Sequence, residues 1–302
     1  MNTAVIILNW NQSADTMRSF RAVSAWTSIA PEIWVVDNAS RDDERKKLAQ
    51  GVPRERLILS DRNSGFAGGN NLALKRILAG DAGTVLMLNN DASIEESHVL
   101  RMLEELQERA GVGIAGPVID ERREARRYFS AGGRDIAKHI HTRMKFSHED
   151  LSSLAAANRI MRVDYVPGTV ALVKTEVFRA AGLFDEDYFF SGEMADFCRR
   201  ARERGYASVI CPRSRADHFT RVEARSALYL YYTLRNRFLY IRKFERSRRE
   251  AFLLSSGWSA VAFAMELRAL TSSRGAEARA VRIAALDGLA GRFGNRNELF
   301  GA

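Results

Sequence analysis

In the first 116 residues, apolar and polar positions follow two alternating rhythms. Five short apolar runs read as buried strands: Thr3–Leu8, Ile33–Val36, Leu57–Leu59, Val85–Leu88 and Gly113–Ala115. Between them lie segments with helical spacing, near Ser13–Trp26, Asp42–Gln50, Asn70–Ala79 and Glu95–Arg109. Asp42 and Asp43 suit the start of a helix, and Ser93 with Glu96 has the spacing of a capping box. This alternation predicts an α/β fold: a mostly parallel sheet with helices on both faces. From Asp120 to Arg162 the pattern fades into charges, histidines and Gly132-Gly133, which predicts loops and a short hairpin. It resumes at Val163–Lys174, a strand interrupted at Pro167-Gly168. A helix at Thr175–Ala181 follows, stopped by Gly182. Next come a helix at Asp196–Arg204 and a strand at Ser208–Cys211. Ala224 to Leu289 reads as largely helical, and no internal repeat is present.

Two of the strands run into acids. Val85–Leu88 ends in Asn89-Asn90-Asp91, and Ile33–Val36 ends in Asp37. Ligands of open α/β sheets gather at the carboxyl ends of the strands. A carboxylate there is placed to hold a divalent cation against a phosphate, although Asn and Asp also serve as plain turn caps. Asp37 can accept from a nucleobase imide or ribose hydroxyls, or cap a helix. Asn63 to Asn71 (NSGFAGGNN) is a glycine-rich turn opening a helix, where backbone can approach a ligand closely. It matches neither the dinucleotide-binding G-x-G-x-x-G nor the P-loop, so oxidoreductase and NTPase readings lose ground.

Three later features carry candidate chemistry. In Gly182–Asp196, the aromatics Phe184, Tyr188, Phe189 and Phe190 suit the floor of an acceptor pocket. Glu193 and Asp196 sit three apart at a helix start, where one can deprotonate a hydroxyl; an acidic helix N-terminus over a plain core gives the same pattern. His218, in a loop after a strand, can complete a cation's coordination. His139 and His141 can chelate from a strand but have no further partner downstream. Arg235-Asn236, in an aromatic and arginine-rich helix, suits a diphosphate or an acidic lipid head, and equally the wet side of a core helix.

Composition adds three points. The chain of 302 residues is 46% hydrophobic, enough for one large domain or two small ones. The net charge is +9; from Arg221 onward fifteen Lys and Arg face seven Asp and Glu, which places +8 of it in the C-terminal quarter or so. Such a surface meets phosphates, of nucleic acid or of an anionic membrane, or is simply solvated. No apolar run reaches 18 residues, and the N-terminal stretch reads as a strand without the marks of a signal peptide. Phe252–Met265 is apolar but too short to span; it suits a membrane interface or a dimer contact. Cys198 and Cys211 lack metal-type spacing, and reduced thiols in a cytoplasmic protein are expected.

The ordered succession VIILNWN, VVDNAS, NSGFAGGNN, LNNDA, PGTVALVKTEVFRAAGLFDEDYFF, DFCRRARERGY, a late histidine and YYTLRNR resembles the family 2 inverting glycosyltransferases. It is closest to their rhamnosyltransferase-like branch, over about Val5 to Arg237. The resemblance implies a GT-A fold in residues 1–220, with a basic helical extension in 221–302 for acceptor, membrane-surface or oligomer contacts. It implies a sugar donor on a nucleoside diphosphate (dTDP-rhamnose, or a UDP or GDP sugar), a glycan or polyprenyl-diphosphate-linked acceptor, and Mg²⁺ or Mn²⁺. Asn9, Asp37, Asn63, Gly65, Asn71, Asn89, Asn90 and Asp91 would bind the donor. Asp91, in Asn-x-Asp for the family's Asp-x-Asp, would hold the metal with His218. Phe189, Phe190 and Arg235 would meet the acceptor. The family's catalytic base is the second acid of a Glu-Asp pair; here the string is Glu193-Met194-Ala195-Asp196, so the base falls to Glu193, the preferred choice, or to Asp196. Competing readings remain. A nucleotidyltransferase would want a basic glycine-rich loop after the first strand, which Asn9-Trp10-Asn11-Gln12 lacks. A catalytically impaired sugar-nucleotide-binding or scaffold protein would explain Met194. Nucleic-acid binding is suggested by charge alone, with no recognised motif.

Overall fold

In the computed structural model, residues 2–123, 126–156, 159–219 and 227–301 are described. The chain opens with β1 (Thr3–Asn9), α1 (Ser13–Ser24), β2 (Glu32–Asn38), α2 (Asp42–Gly51), β3 (Leu57–Ser60), α3 (Gly65–Ile77) and β4 (Thr84–Asn89). These four strands pair in parallel in the order β3-β2-β1-β4. Successive side chains of a strand point to opposite faces, and both faces are covered here. Ala4 and Ile6 of β1 join one core, while Val5 and Ile7 join the other. Strand order reverses between β1 and β4, which opens a crevice beyond their carboxyl ends.

The chain continues through β5 (Ala92–Ile94), α4 (Glu96–Glu108), β6 (Val112–Arg123), β7 (Arg126–Gly133), β8 (Arg143–Phe146), α5 (His148–Ala156), β9 (Met161–Val163) and β10 (Val170–Lys174). Then come α6 (Thr175–Ala181), α7 (Glu193–Glu203) and β11 (Ala207–His218). β10 enters antiparallel between β4 and β6, β11 runs parallel to β6, and β5 closes the edge antiparallel to β11. The sheet is therefore mixed, with parallel pairing dominant only in its first half. The expected loops at 120–162 hold the β6–β7–β8 meander. The expected strand Ser208–Cys211 is longer, because β11 resumes its ladder with β6 past an irregularity between Cys211 and Arg215. The expected capping box is absent: Ser93 lies in β5, and Glu96 instead accepts from the N–H groups of Thr27, Ser28 and Ile29 (3.2, 2.7 and 2.7 Å).

The C-terminal part is α8 (Ala227–Phe244), α9 (Arg248–Thr271) and α10 (Gly275–Ala290), around a third core containing Tyr231, Phe238 and Trp258. The expected boundary at 220/221 lies outside the described residues. Two clamps fasten these helices to the sheet half. Arg237 lies over the Trp258 ring (3.9 Å) and donates to the carbonyls of Ile136, His139 (2.8 Å) and Ile140 (3.2 Å). Arg235 and Asn236 hold the turn before α7, where Phe189 (φ 58°), Ser191 (φ 69°) and Gly192 (φ 105°) are left-handed. The same turn seats the glycine-rich segment. Gly65 (φ 68°) has no room for a side chain, since an added Cβ would lie 2.1 Å from the Phe189 carbonyl oxygen. Gly65→Ala is expected to cost about 1–3 kcal/mol, because neither backbone can yield easily; a denaturant-unfolding midpoint measures it.

Candidate active site

The carboxyl ends of β1, β2 and β4 are tied by a chain of buried polar groups. Asn9 Nδ2 donates to Asp37 Oδ1 (2.8 Å) and to the Ser40 hydroxyl (3.0 Å), while its Oδ1 accepts from the Thr16 hydroxyl (2.8 Å). The Thr16 oxygen in turn accepts from Asn90 Nδ2 (3.1 Å), and the Asn90 carbonyl accepts from Ser19 (3.1 Å). Asp37 also takes the Ser40 N–H (3.2 Å) and lies 3.5 Å from Arg45 Nε. Asn9, Asp37 and Asn90 are buried, so the structure gives them to one another as a floor. Their expected donor contacts would require exchanging these partners.

The glycine-rich turn is likewise packed against protein. Asn63 Oδ1 accepts from Gly65 N–H (2.9 Å) and Asn38 Nδ2 (3.0 Å). Asn71 is buried; it donates to the Phe184 carbonyl (2.9 Å) and Glu186 (3.0 Å) and accepts from the Phe184 N–H (3.1 Å). Its side chain thus joins α3 to the segment before α7 and has no free polar atom for a nucleotide. Within the expected donor set, Asn63, Asn89 and Asp91 keep partial exposure. So does Trp10, an indole at the mouth beside Asn9, marked in sequence by a large aromatic directly after a buried strand.

Asp91 and His218 meet although 127 positions part them. In the β5–β11 pairing His218 stands opposite Ala92, and the Phe219 N–H donates to the Asp91 carbonyl (2.8 Å). This register brings His218 Nε2 to 3.4 Å from Asp91 Oδ2. Asp91 Oδ1 and His218 Nδ1 are buried with no hydrogen-bond partner. A carboxylate and an imidazole with unfilled capacity fit a divalent cation that completes its shell with phosphate oxygens and water. Among the described residues no group of three or more His, Cys, Asp or Glu is arranged for a metal, so these two would be the protein's share. His139 and His141 are exposed loop residues apart from it.

The start of α7 borders the same edge. Asn89 N–H donates to the Thr169 carbonyl (3.0 Å), and the adjacent Gly168 has so little room that a Cβ would meet Met194 Cγ at 3.2 Å and the Phe66 ring at 2.7 Å. Met194 is therefore core, and its neighbour Glu193 is the acid at this helix start. Glu193 is buried, with Oε2 unpartnered. Burial pushes its carboxyl up to about 7; backbone N–H groups at the helix start oppose the rise, and the nearby Asp196 adds to it. Asp196 is fully buried and committed to cations: Oδ1 accepts from Arg200 Nε (2.6 Å) and Oδ2 pairs with Lys243. It ties α7 to α8.

The expected acceptor residues separate. Phe190 is exposed beside Tyr229 and Tyr232. Phe189 is buried and stacked on Tyr232 (5.0 Å between centroids). Arg235, 0% exposed, has no face for an acceptor. It donates to the carbonyls of Gly294 (2.7 Å), Asp187 (2.9 Å) and Tyr188 (3.2 Å) and to Asn236 Oδ1 (2.7 Å). Asn236 Nδ2 passes the grip on to the carbonyls of Tyr188 (2.9 Å), Phe190 (2.8 Å) and Ser191 (2.5 Å). The expected ligand-binding arginine is thus a clamp on the turn that leads into Glu193.

Comparison with known proteins agrees with this architecture. The dTDP-rhamnosyl transferase RfbF of Shigella flexneri is 25% identical over 221 residues, 69% of this chain and 70% of that protein. An N-acetylglucosaminyl-diphospho-decaprenol L-rhamnosyltransferase of Mycobacterium tuberculosis is 24% identical over 235 residues, 71% of this chain and 75% of that one. Among solved structures, the mannosyltransferase PcManGT of Pyrobaculum calidifontis, in complex with GDP-Man and Mn²⁺, superposes with a TM-score of 0.57 at 14% identity, over 96% of this chain and 88% of that chain. GalNAc-T7, with UDP, GalNAc and Mn²⁺, gives 0.59 at 18% identity; it covers 78% of this chain, which spans about half (47%) of that one. The fold is GT-A. The model of glycosyl transferase family 2 matches residues 4–167, more than half of the sequence, and the chain belongs to that family of glycosyltransferases.

Proposed function

We propose that this glycosyltransferase is metal-dependent and inverting, and that it moves rhamnose from dTDP-rhamnose to a hydroxyl of a glycan or polyprenyl-diphosphate-linked acceptor. The observation that carries the reading is the pair of buried, unpartnered carboxylate oxygens Asp91 Oδ1, past the end of β4, and Glu193 Oε2, at the start of the helix that packs on the segment leading into β10. An orphaned buried oxygen is costly unless something fills it in the working state. The names of the two rhamnosyltransferase relatives support the donor, and one of them supports the lipid-linked acceptor. The Mn²⁺ complexes of the two structural neighbours support the cation.

Asp91 and His218 would hold Mg²⁺ or Mn²⁺, which supplies positive charge against the diphosphate as it leaves. Asn89 and Asn63 border the donor, and Trp10 offers a stacking face for the base. Phe190 borders the acceptor. The acceptor hydroxyl attacks the anomeric carbon from the face opposite the diphosphate, and Glu193 takes its proton, so one displacement inverts the centre. A carboxyl poised near 7 with an unpartnered oxygen suits that task better than Asp196, whose oxygens are taken up by Arg200 and Lys243. Met194 at the family's base position does not silence the site in this reading, since the acid one residue earlier is free to act.

Two outcomes test it. Asp91→Asn is expected to lower kcat by about 10³-fold or more, and chelation of the wild type to do the same; rhamnosyl transfer from dTDP-rhamnose, assayed with and without Mn²⁺, measures both. Near-normal turnover of the variant in chelator would refute the metal role. For Glu193, kcat/KM should rise with pH through about 7 and then level, and Glu193→Gln should abolish turnover. The linked stability runs the other way. The folded state holds the proton up to about 7 and the unfolded state only to about 4.5, so this contribution is full below 4.5 and is lost as pH rises through 7. Unfolding curves of Glu193→Gln should lack that decline.

A further inference from the structure

The outward side of α9 breaks the usual rule for a wet helix. Phe252 (70% exposed), Leu253, Phe263 (69%), Leu267 and Leu270 all face solvent. At about 100° per residue, Phe252, Phe263, Leu267 and Leu270 fall within about a sixth of the helix circumference, with Leu253 at the margin. Ser256, Gly257, Ala260 and Ala264, also exposed, fill the gaps without a charge. The stripe runs for about 27 Å at 1.5 Å per residue. A patch of this extent on a protein surface marks a contact.

Charge identifies what it contacts. Arg248, Arg249 and Arg268 of α9 and Arg279 and Arg282 of α10 are exposed around it. Arg282 lies 3.6 Å from Glu266, which sets the α10 arginines beside the stripe. On these two helices Glu250 is exposed at one end and paired with Lys138 (3.3 Å), while Glu266 and Glu277 are half-buried and already paired with Arg282 (3.6 Å) and Arg274 (3.0 Å). Two copies joined through this face would bring exposed arginines together with few acids left to meet them. Lipid phosphates would meet the arginines while acyl chains cover the phenylalanines and leucines. No helix among the described residues is long and apolar enough to cross a membrane, so the arrangement suits a helix lying in the interface.

We propose that the exposed face of α9, bordered by the arginines of α9 and α10, docks in the plane of an anionic bilayer. This deepens the reading of a lipid-linked acceptor and rests on it only for its purpose, because docking needs no turnover. α8 packs both on α9 and on the turn that leads to Glu193, so it joins the docking face to the site.

The test is sedimentation of the full chain with phosphatidylglycerol–phosphatidylcholine vesicles and with phosphatidylcholine alone. Wild type should partition to the anionic vesicles, less at high salt, and far less to the neutral ones. The double variant Phe263→Gln/Leu267→Gln should bind at least about tenfold more weakly. It should melt like wild type and transfer sugar to a water-soluble acceptor at the same rate. Equal partitioning of variant and wild type would overturn the proposal. So would a wild-type dimer by light scattering that the variant makes monomeric, with no vesicle binding by either. Vesicle binding without any sugar transfer would leave the docking intact and refute the function proposed above.

Discussion

The turn from Asp187 to Gly192 is the joint on which both halves of the molecule depend, and Arg235 holds it. A guanidinium buried to zero exposure is costly, and burial lowers its proton affinity from the ordinary arginine value. Here the cost is offset by carbonyl oxygens from two distant segments, at Asp187–Tyr188 and Gly294, and by the faces of Tyr232 (4.7 Å), Tyr231 (5.3 Å) and Phe293 (5.7 Å). Its Nε and Nη2 share Asn236 Oδ1, which fixes the amide so that Nδ2 faces three carbonyls of the turn, that of Tyr188 and two further ones at Phe190 and Ser191. Left-handed backbone at Phe189 and Ser191 is unfavourable unless the surroundings over-determine it. This clamp does so from α8, and Gly65 receives the turn from the sheet half.

The crevice shows a division of labour among residues of the same type. Asn9, Asp37 and Asn90 form the floor that sets three strand ends relative to one another. Asn71 and Asn38 lash the glycine-rich segment to its neighbours. These groups are satisfied within the protein. By contrast, His218 and Glu193 are buried and Asp91 is partly exposed, and each keeps a buried polar atom with no hydrogen-bond partner.

Much of this was legible in the sequence where the signal is local. The first four strands follow the apolar periods to within a residue or two, because a strand covered on both faces is a short apolar run and nothing else, while α3 starts at Gly65, five residues before its apolar period. The place of Asp91 just past a strand end was legible for the same reason: it follows such a run after two asparagines. What stayed hidden depends on long-range pairing. His218 read as a loop residue because the irregularity between Cys211 and Arg215 breaks the strand pattern, and only the β5–β11 register brings it to Asp91. Glu96 read as a capping residue because its spacing from Ser93 is right. Its carboxylate instead serves three N–H groups near residue 28, which no local pattern records. Arg235 stands out in the sequence, but its partners do not, since an arginine among tyrosines looks alike whether it faces a phosphate or a ring of carbonyls.

Met194 shows how far a motif can be carried by position alone. At the start of α7, successive residues point about 100° apart, so acids at 193 and at 194 would face different surroundings. Position 194 is filled by a side chain packed on Gly168 and Phe66, in the core shared with Phe197. A carboxylate there would be buried among aromatics. Position 193 combines burial, an unpartnered oxygen and the N–H groups of the helix start, which together leave a carboxyl able to gain and lose a proton near neutrality. Asp196, one turn on, adds negative charge that raises Glu193 while its own charge is absorbed by Arg200 and Lys243. The place of the acid at 193 rather than 194 is thus matched by the packing of the helix that carries it. An exchange of Glu193 and Met194 would have to rebuild the contact with Gly168, and through it the seat of β10 beside Asn89.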